Sequence, residues 1–340
     1  MKGAPVIEAH HDPRLLVQVL NRRPLRYSAG ADPSLDRPAH VRAASSLVRV
    51  GDSMLAIQDD AHFVALIDPD SWEVRAIPLP PGPGGKRQFD DLRGTKGLKL
   101  DLEACVVVPE AAGATLIAFG SGATPQRERV LVMRAVTAPA PDIRLVEATA
   151  LYAALRAPAF ASSELNLEGA VLLPSGKTLR LFQRGNGAPR GALQPVDATC
   201  DIAWPDLAAY LDDPTTAAPP PLQAITRYHL GLLDGARLTF TDATPGPNGI
   251  LYCAAAERSP NAVDDGEVVG SALGLLPPTG APRYAPIVDF DGALLPLKIE
   301  GLLLDEHDPT LVFLVADADD PLLPSELLTA RLIGPWFDQG

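Results

Sequence analysis

"LNLEGAVLLPSGKTLRLFQRG", residues 165–185, reads as two apolar strands around a Pro-Ser-Gly-Lys turn, and its first strand opens on a carboxylate, Glu168, followed by Gly169. A charge at the head of an apolar strand demands a partner or a purpose. The arrangement recurs in "LDLEACVVVP" (100–109) and "LKIEGLLLDE" (297–306). Sought at longer period, five hairpins of this kind emerge, at 45–63, 101–122, 165–185, 240–259 and 298–320. In each an apolar strand turns tightly and returns as a second apolar strand with a polar end.

Further strand-like runs follow the first three hairpins: "FVALID" and "VRAIPL", "RVLVMRA" and "IRLVEA", "ITRYHLG" and "ARLTF". Four strands per unit is the make-up of a propeller blade. With Ala44, Glu103, Glu168, Asp242 and Glu300 as equivalent points, the repeat is 58 to 74 residues, so the connections are long. The third unit's excess sits at 186–221, a Pro- and Ala-rich surface insert with a short helix predicted at "WPDLAAYL". The fifth hairpin is followed by one strand, "LLTARLI", and an orphan strand, "RLLVQVL", precedes the first unit. Joining the two completes the last blade and removes exposed sheet edges. The prediction is all-β: a single β-propeller domain over 1–340 with five blades, or six should "PLRYSAG" and its surroundings form a sheet of their own.

In a propeller the innermost strand of each blade starts at one face of the central channel and the second strand returns there. That geometry gathers Glu103, Glu168, Asp242 and Glu300 at the channel mouth, and the second-strand ends add Asp59, Asp60, Glu257, Asp317 and Asp319, with Arg184 and Arg258 as local cations. Carboxylates crowded in a partly desolvated mouth must be protonated, paired or neutralised by a metal ion. An oxygen-rich, sulfur-free set favours Ca²⁺, then Mg²⁺. The competing reading makes each Glu mortar between neighbouring sheets, with Gly169 and Gly301 admitting a close backbone.

Composition narrows the field. With 46% hydrophobic residues the chain fills a sizeable core, and 35 Pro and 28 Gly suit many short strands. A net charge of −13 argues against nucleic acid as partner. Cys105, Cys200 and Cys253 are an odd set without CxxC spacing, two of them in apolar runs, and read as buried thiols. No apolar leader or span of about 18 apolar residues occurs, so a cytoplasmic location and no membrane are expected. An aromatic content of 5% disfavours sugar stacking.

"DLEA", "NLEGAVLLPSG", "FTDATPGPNGILYCAAAE", "DDGEVVGSALG" and "KIEGLLLD…VADADDP" resemble the phytase-type esterase-like propellers, and more closely an uncharacterised bacterial family related to them, over 45–332. The resemblance implies a calcium-dependent phosphoesterase ancestry and Glu103, Glu168, Glu300 and Asp317 as metal-side residues. Inositol polyphosphate is not expected as substrate, because the sequence does not show a mouth lined with several Lys and Arg.

Three motifs are set aside. "GDSML" (51–55) bridges two alternating strands and lacks a later Asp-x-x-His. "DEHDP" (305–309) occupies a turn. The Gly-rich loop at 80–99 is not a phosphate loop, but Lys86, Arg87, Arg93 and Lys96 on it are candidates to bring positive charge over the mouth to an anionic ligand. Asp264 and Asp265 are weaker acidic members. The expected function is a Ca²⁺-dependent hydrolase of a phosphoester, ester or lactone, with Glu168 and Arg184 as catalytic candidates. The alternatives are a non-catalytic propeller holding a small ligand or metal, and an interaction scaffold.

Overall fold

The computed structural model describes residues 6–110, 113–258 and 266–338. Asp264 and Asp265 lie outside them. The fold is all-β and propeller-like. Its strands fall into successive antiparallel groups: Ala44–Val50, Ser53–Gln58, Phe63–Ile67 and Val74–Pro78, then Leu102–Glu110, Gly113–Gly120, Arg129–Arg134 and Asp142–Glu147. The third group is Leu167–Leu172, Thr178–Gln183, Asp197–Ala203 and Gln223–His229, and the fourth is Ala236–Gly246, Gly249–Arg258, Glu267–Leu276 and Arg283–Val288. Lys298–Leu304, Leu311–Asp317 and Glu326–Ile333 form the last, and the N-terminal strand Leu16–Pro24 pairs antiparallel with Glu326–Ile333 as foreseen.

Hydrophobic residues fill the spaces between these sheets. One cluster joins Leu55 and Ile57 to Leu116 and Leu131, a second joins Val106 and Phe119 to Leu181, and a third joins Phe182 to Phe240. The remaining two join Leu251 and Leu273 to Leu302 and Leu314, and Leu303 and Val315 to Leu47 and Ala56. The last cluster brings the end of the chain against its beginning. Each group's first strand touches the next group's first strand, and Lys298–Leu304 touches Ala44–Val50.

Three expectations are corrected. The segment at 186–221 is not wholly an insert: it carries the third strand of the third group, Asp197–Ala203, as well as the predicted helix, Trp204–Asp212. "ARLTF" accordingly opens the innermost strand of the fourth group rather than ending the third. "PLRYSAG" makes isolated bridges such as Arg26 to His40 and no separate sheet among the described residues. A helix at Thr149–Leu155, buried through Leu151, Tyr152 and Leu155, was not foreseen. No described helix is long and apolar enough to cross a membrane. All three cysteines are buried and free.

The junction of the last and first groups is tight at Gly301. A Cβ there would sit 2.4 Å from Val315 Cγ2 and 3.0 Å from both Leu47 N and Ser46 C, so backbone across the junction would have to give way. Gly301→Ala is expected to cost about 1–3 kcal/mol by overpacking, whereas Gly97→Ala, with nothing within 4 Å of its added Cβ, should stay within about 0.5 kcal/mol. Denaturant titration of both checks this; equal stabilities would mean that the two groups do not pack as described.

Candidate functional site

Every innermost strand carries a β-bulge near its start. The ladder skips Ser45, Glu103, Glu168, Thr241 and Glu300 in turn. A bulge leaves one residue unpaired and re-aims its side chain. In the second, third and fifth groups the bulged residue is the opening carboxylate, Glu103, Glu168 and Glu300. Asp242 is not one of them: the fourth group's bulge is Thr241, one residue earlier, and the first group's is Ser45 rather than Ala44. The slip moves Asp242 to the position of Gly169 and Gly301.

There Asp242 is buried mortar. Its Oδ2 accepts from Leu302 N at 2.8 Å and its Oδ1 from the Ser46 hydroxyl at 3.2 Å, bridging the fourth, fifth and first groups. Cys105 Sγ lies 3.3 Å from the same hydroxyl. Burial pushes the Asp242 carboxyl well above the usual range. Its oxygens are spoken for, so it does not join the expected metal set.

Burial first, and after it the charge of Glu168 among others, pushes the carboxyls of Glu103 and Glu300 well above the usual range. Their partners differ. Lys298 Nζ is 2.7 Å from Glu300 Oε1. Glu168 Oε1 accepts from Asn166 Nδ2 at 2.7 Å and from Arg184 Nη1 at 3.2 Å. Arg184 also holds Glu257 through Nη2 at 2.8 Å and the Thr239 hydroxyl through Nε at 3.1 Å. Glu168 and Arg184 are thus a brace between the third and fourth groups.

Glu103 is different. Burial first, then Asp59 and Asp101, push its carboxyl well above the usual range, and among the described residues that carboxyl has no hydrogen bond or ion pair. One oxygen each of Asp59, Asp101 and Glu103 lies within 4.8 Å of the others. Asp59 Oδ1 is buried without a hydrogen-bond partner, and Asp101 Oδ1, although 2.6 Å from Lys99 Nζ, is not aligned with it for a hydrogen bond. Lys99 also pairs with Asp59 at 2.6 Å, and Arg127 with Asp101 at 2.8 Å. Asp101 holds this place in a left-handed conformation (φ 56°) at the strand entrance, which Asp tolerates better than most residues.

Beside this trio a cavity of about 490 Å³ opens between the fifth and first groups. Arg42, Asp59, Asp60, Phe89, Asp90, Lys99, Asp317, Asp319 and Asp320 line it, with Lys96, Leu92 and Leu322 also on its wall. Arg42, 1% exposed, is clasped by Asp60, by Asp90 at 2.9 Å and by Gln88 at 3.1 Å. Burial foremost, then Asp59, raises the Asp60 carboxyl to about 8. Asp317, raised by burial to about 6, accepts from Ser325 and from Asp319 N.

The mouth is therefore richer in cations than expected. Arg42, Lys99, Arg127, Arg184 and Lys298 are all buried there, and only Arg184 was foreseen. Of the basic loop residues, Arg87 binds the carbonyl of Leu79, Arg93 pairs with Asp90, Lys96 lies 3.5 Å from Asp91 and Lys86 is exposed. Arg258 pairs with Glu267 at a half-exposed position. His307 sits in an exposed turn built on Asp305 Oδ1.

A family model described as "Family of unknown function (DUF6929)" matches residues 40–332. Among curated proteins none matches. Similar solved structures include the glutaminyl cyclase of Myxococcus xanthus, 8% identical over 97% of this chain and 99% of that one, TM-score 0.46. Others are a putative glycoside hydrolase from Parabacteroides distasonis, 11% identical over 94% and 95%, TM-score 0.43, and the PQQ-bound aldose sugar dehydrogenase of Streptomyces coelicolor, 11% identical over 95% and 99%, TM-score 0.41. None of these likenesses bears on what this chain does.

Proposed function

This chain belongs to that family of unknown function, DUF6929, and from its own residues we propose that it is a closed, five-bladed propeller whose channel mouth holds a hard divalent cation, Ca²⁺ before Mg²⁺, for hydrolysis of a small phosphoester, ester or lactone. The observation that carries the reading is the trio Asp59, Asp101 and Glu103, three oxygens within 4.8 Å with a carboxyl that nothing else in the described residues satisfies. Oxygen donors without sulfur or imidazole fit a hard cation. A bound ion would polarise the scissile group.

Lys99 sets the strength of such a site. Its ammonium already lies against Asp59 and Asp101, so an ion must share or displace that charge. A weak site is expected, with a dissociation constant on the order of 10⁻⁴–10⁻³ M. By linkage, 2 mM Ca²⁺ should then stabilise the EDTA-treated protein by about 1 kcal/mol, roughly 1–2 °C in melting temperature. Glu103→Gln should abolish the shift. Glu103 is crowded by the like charges of Asp59, Asp101, Glu168 and Glu300 and attracted by Lys99, so the same change should leave the stability of the calcium-free protein within about 1 kcal/mol. No calcium shift at 10 mM, or a shift that survives Glu103→Gln, would sink the cation reading.

A further inference from the structure

The cavity wall has a character that the cation reading leaves unused. Among its lining residues carboxyls outnumber cations seven to three, and the positive charge on Arg42 and Lys99 is already answered by Asp60, Asp90, Asp59 and Asp101. The excess faces the cavity from Asp317 and Asp320. Asp60 Oδ1 is buried with no hydrogen-bond partner. At the rim stand Leu92 and Leu322, each 71% exposed, and Phe89 forms part of the wall. These two leucines offer apolar contact area to a molecule entering the acidic hollow, and a volume of about 490 Å³ lies within the size range of small-molecule sites.

A metal ion does not match this part of the mouth, because the only described carboxylates that converge to ligand spacing are those of the neighbouring trio. An anion would meet the excess of acids. We propose that the cavity takes a small organic cation, an ammonium group on a short apolar body, with the charge toward Asp317 and Asp320 and the hydrocarbon against Leu92 and Leu322. Buried carboxyls with low-dielectric walls select the sign of charge, and the leucines supply contact area. The inference concerns the ligand class of the same mouth but does not rest on a bound metal.

The test is calorimetric titration of the full chain in EDTA with three probes of like shape: 2-phenylethylamine, 2-phenylethanol and 3-phenylpropionate. The amine is expected to bind at least about tenfold more tightly than the alcohol, the worth of roughly one good charge contact, and the carboxylate not measurably. Asp320→Asn and Leu322→Ser, both at exposed positions that melting can verify as folded, should each weaken the amine by about threefold or more. An alcohol that binds as well as the amine, a preferred carboxylate, binding unchanged in both variants, or no heat from any probe at millimolar concentration would overturn the proposal. Amine selectivity without a calcium melting shift would retire the cation reading and leave this one standing; a calcium shift without amine selectivity would do the reverse.

Discussion

Arg184→Ala is expected to lose about 3–5 kcal/mol of stability, the cost of stripping one partner from a buried charge network, and roughly 4–7 °C of melting temperature in a chain of this size. The guanidinium and both its carboxylate partners have side chains only 4% exposed. All three of its nitrogens are engaged, with Glu168, Glu257 and Thr239. Removal leaves the buried Glu168 carboxyl without the charge that now lowers its proton affinity. Even with Arg184 present, burial holds Glu168 at about 7. In the variant it should therefore protonate at neutral pH, which caps the loss.

Two companions distinguish this account from simple loss of packing. Adding Glu168→Gln to Arg184→Ala should recover about 1 kcal/mol or more, because the amide no longer carries the uncompensated charge. Arg184→Lys should recover little, since one ammonium cannot reach Glu168, Glu257 and Thr239 along three directions. Chemical denaturation of the four proteins is the measurement. A single-variant loss under about 1 kcal/mol would mean that Glu168 and Glu257 are solvated, and the description of the mouth would fail with them.

The repeating hairpins were legible because apolar runs and turn residues are local signals. The bulge was not, because it is a mismatch in pairing and leaves no composition of its own. Where the bulged residue is Glu, as at Glu103, Glu168 and Glu300, the charge betrays it; where it is Ser45 or Thr241 it does not, and an alignment on acids slips by one. Since side chains alternate in a strand, that slip put Asp242 on the wrong side of the ladder. The buried cations were hidden differently. Lys99 and Lys298 precede acids at alternate positions, in "KLDLE" and "KIE", and period-two reading would have placed them on the carboxylates' own face. Arg42 and Arg127 come from connections, where no periodicity speaks. The strand Asp197–Ala203 was lost because its buried residues, Ala198, Cys200 and Ile202, include two small ones in a Pro-rich neighbourhood.

The mouth also sets how stability follows pH. Burial raises Glu168 to about 7 and Asp197 to about 6, against the ordinary carboxyl range near 4 in the unfolded chain. Asp197 lies outside the cation trio: its Oδ1 takes the N–H of Phe240 at 2.9 Å and of Gly185 at 3.1 Å, and Arg237 stands 3.5 Å from Oδ2. For both groups the folded state binds the proton more tightly than the unfolded state. Their contribution is therefore fully present below pH 4 and is lost as pH rises through 6 and 7. Between pH 5 and 8 the protein is expected to lose a few kcal/mol from these groups together, at about 1.4 kcal/mol for each unit of displacement, a direction opposite to that of a protein held by exposed ion pairs. Asp197→Asn keeps an acceptor for the two N–H groups and removes the titration, so it should flatten the slope most between about pH 4 and 6, while Glu168→Gln flattens it between about 5 and 7. Melting curves across that range decide the matter: stability that rises with pH from 5 to 8, or slopes untouched by both variants, would show that these carboxyls ionise freely in the folded chain.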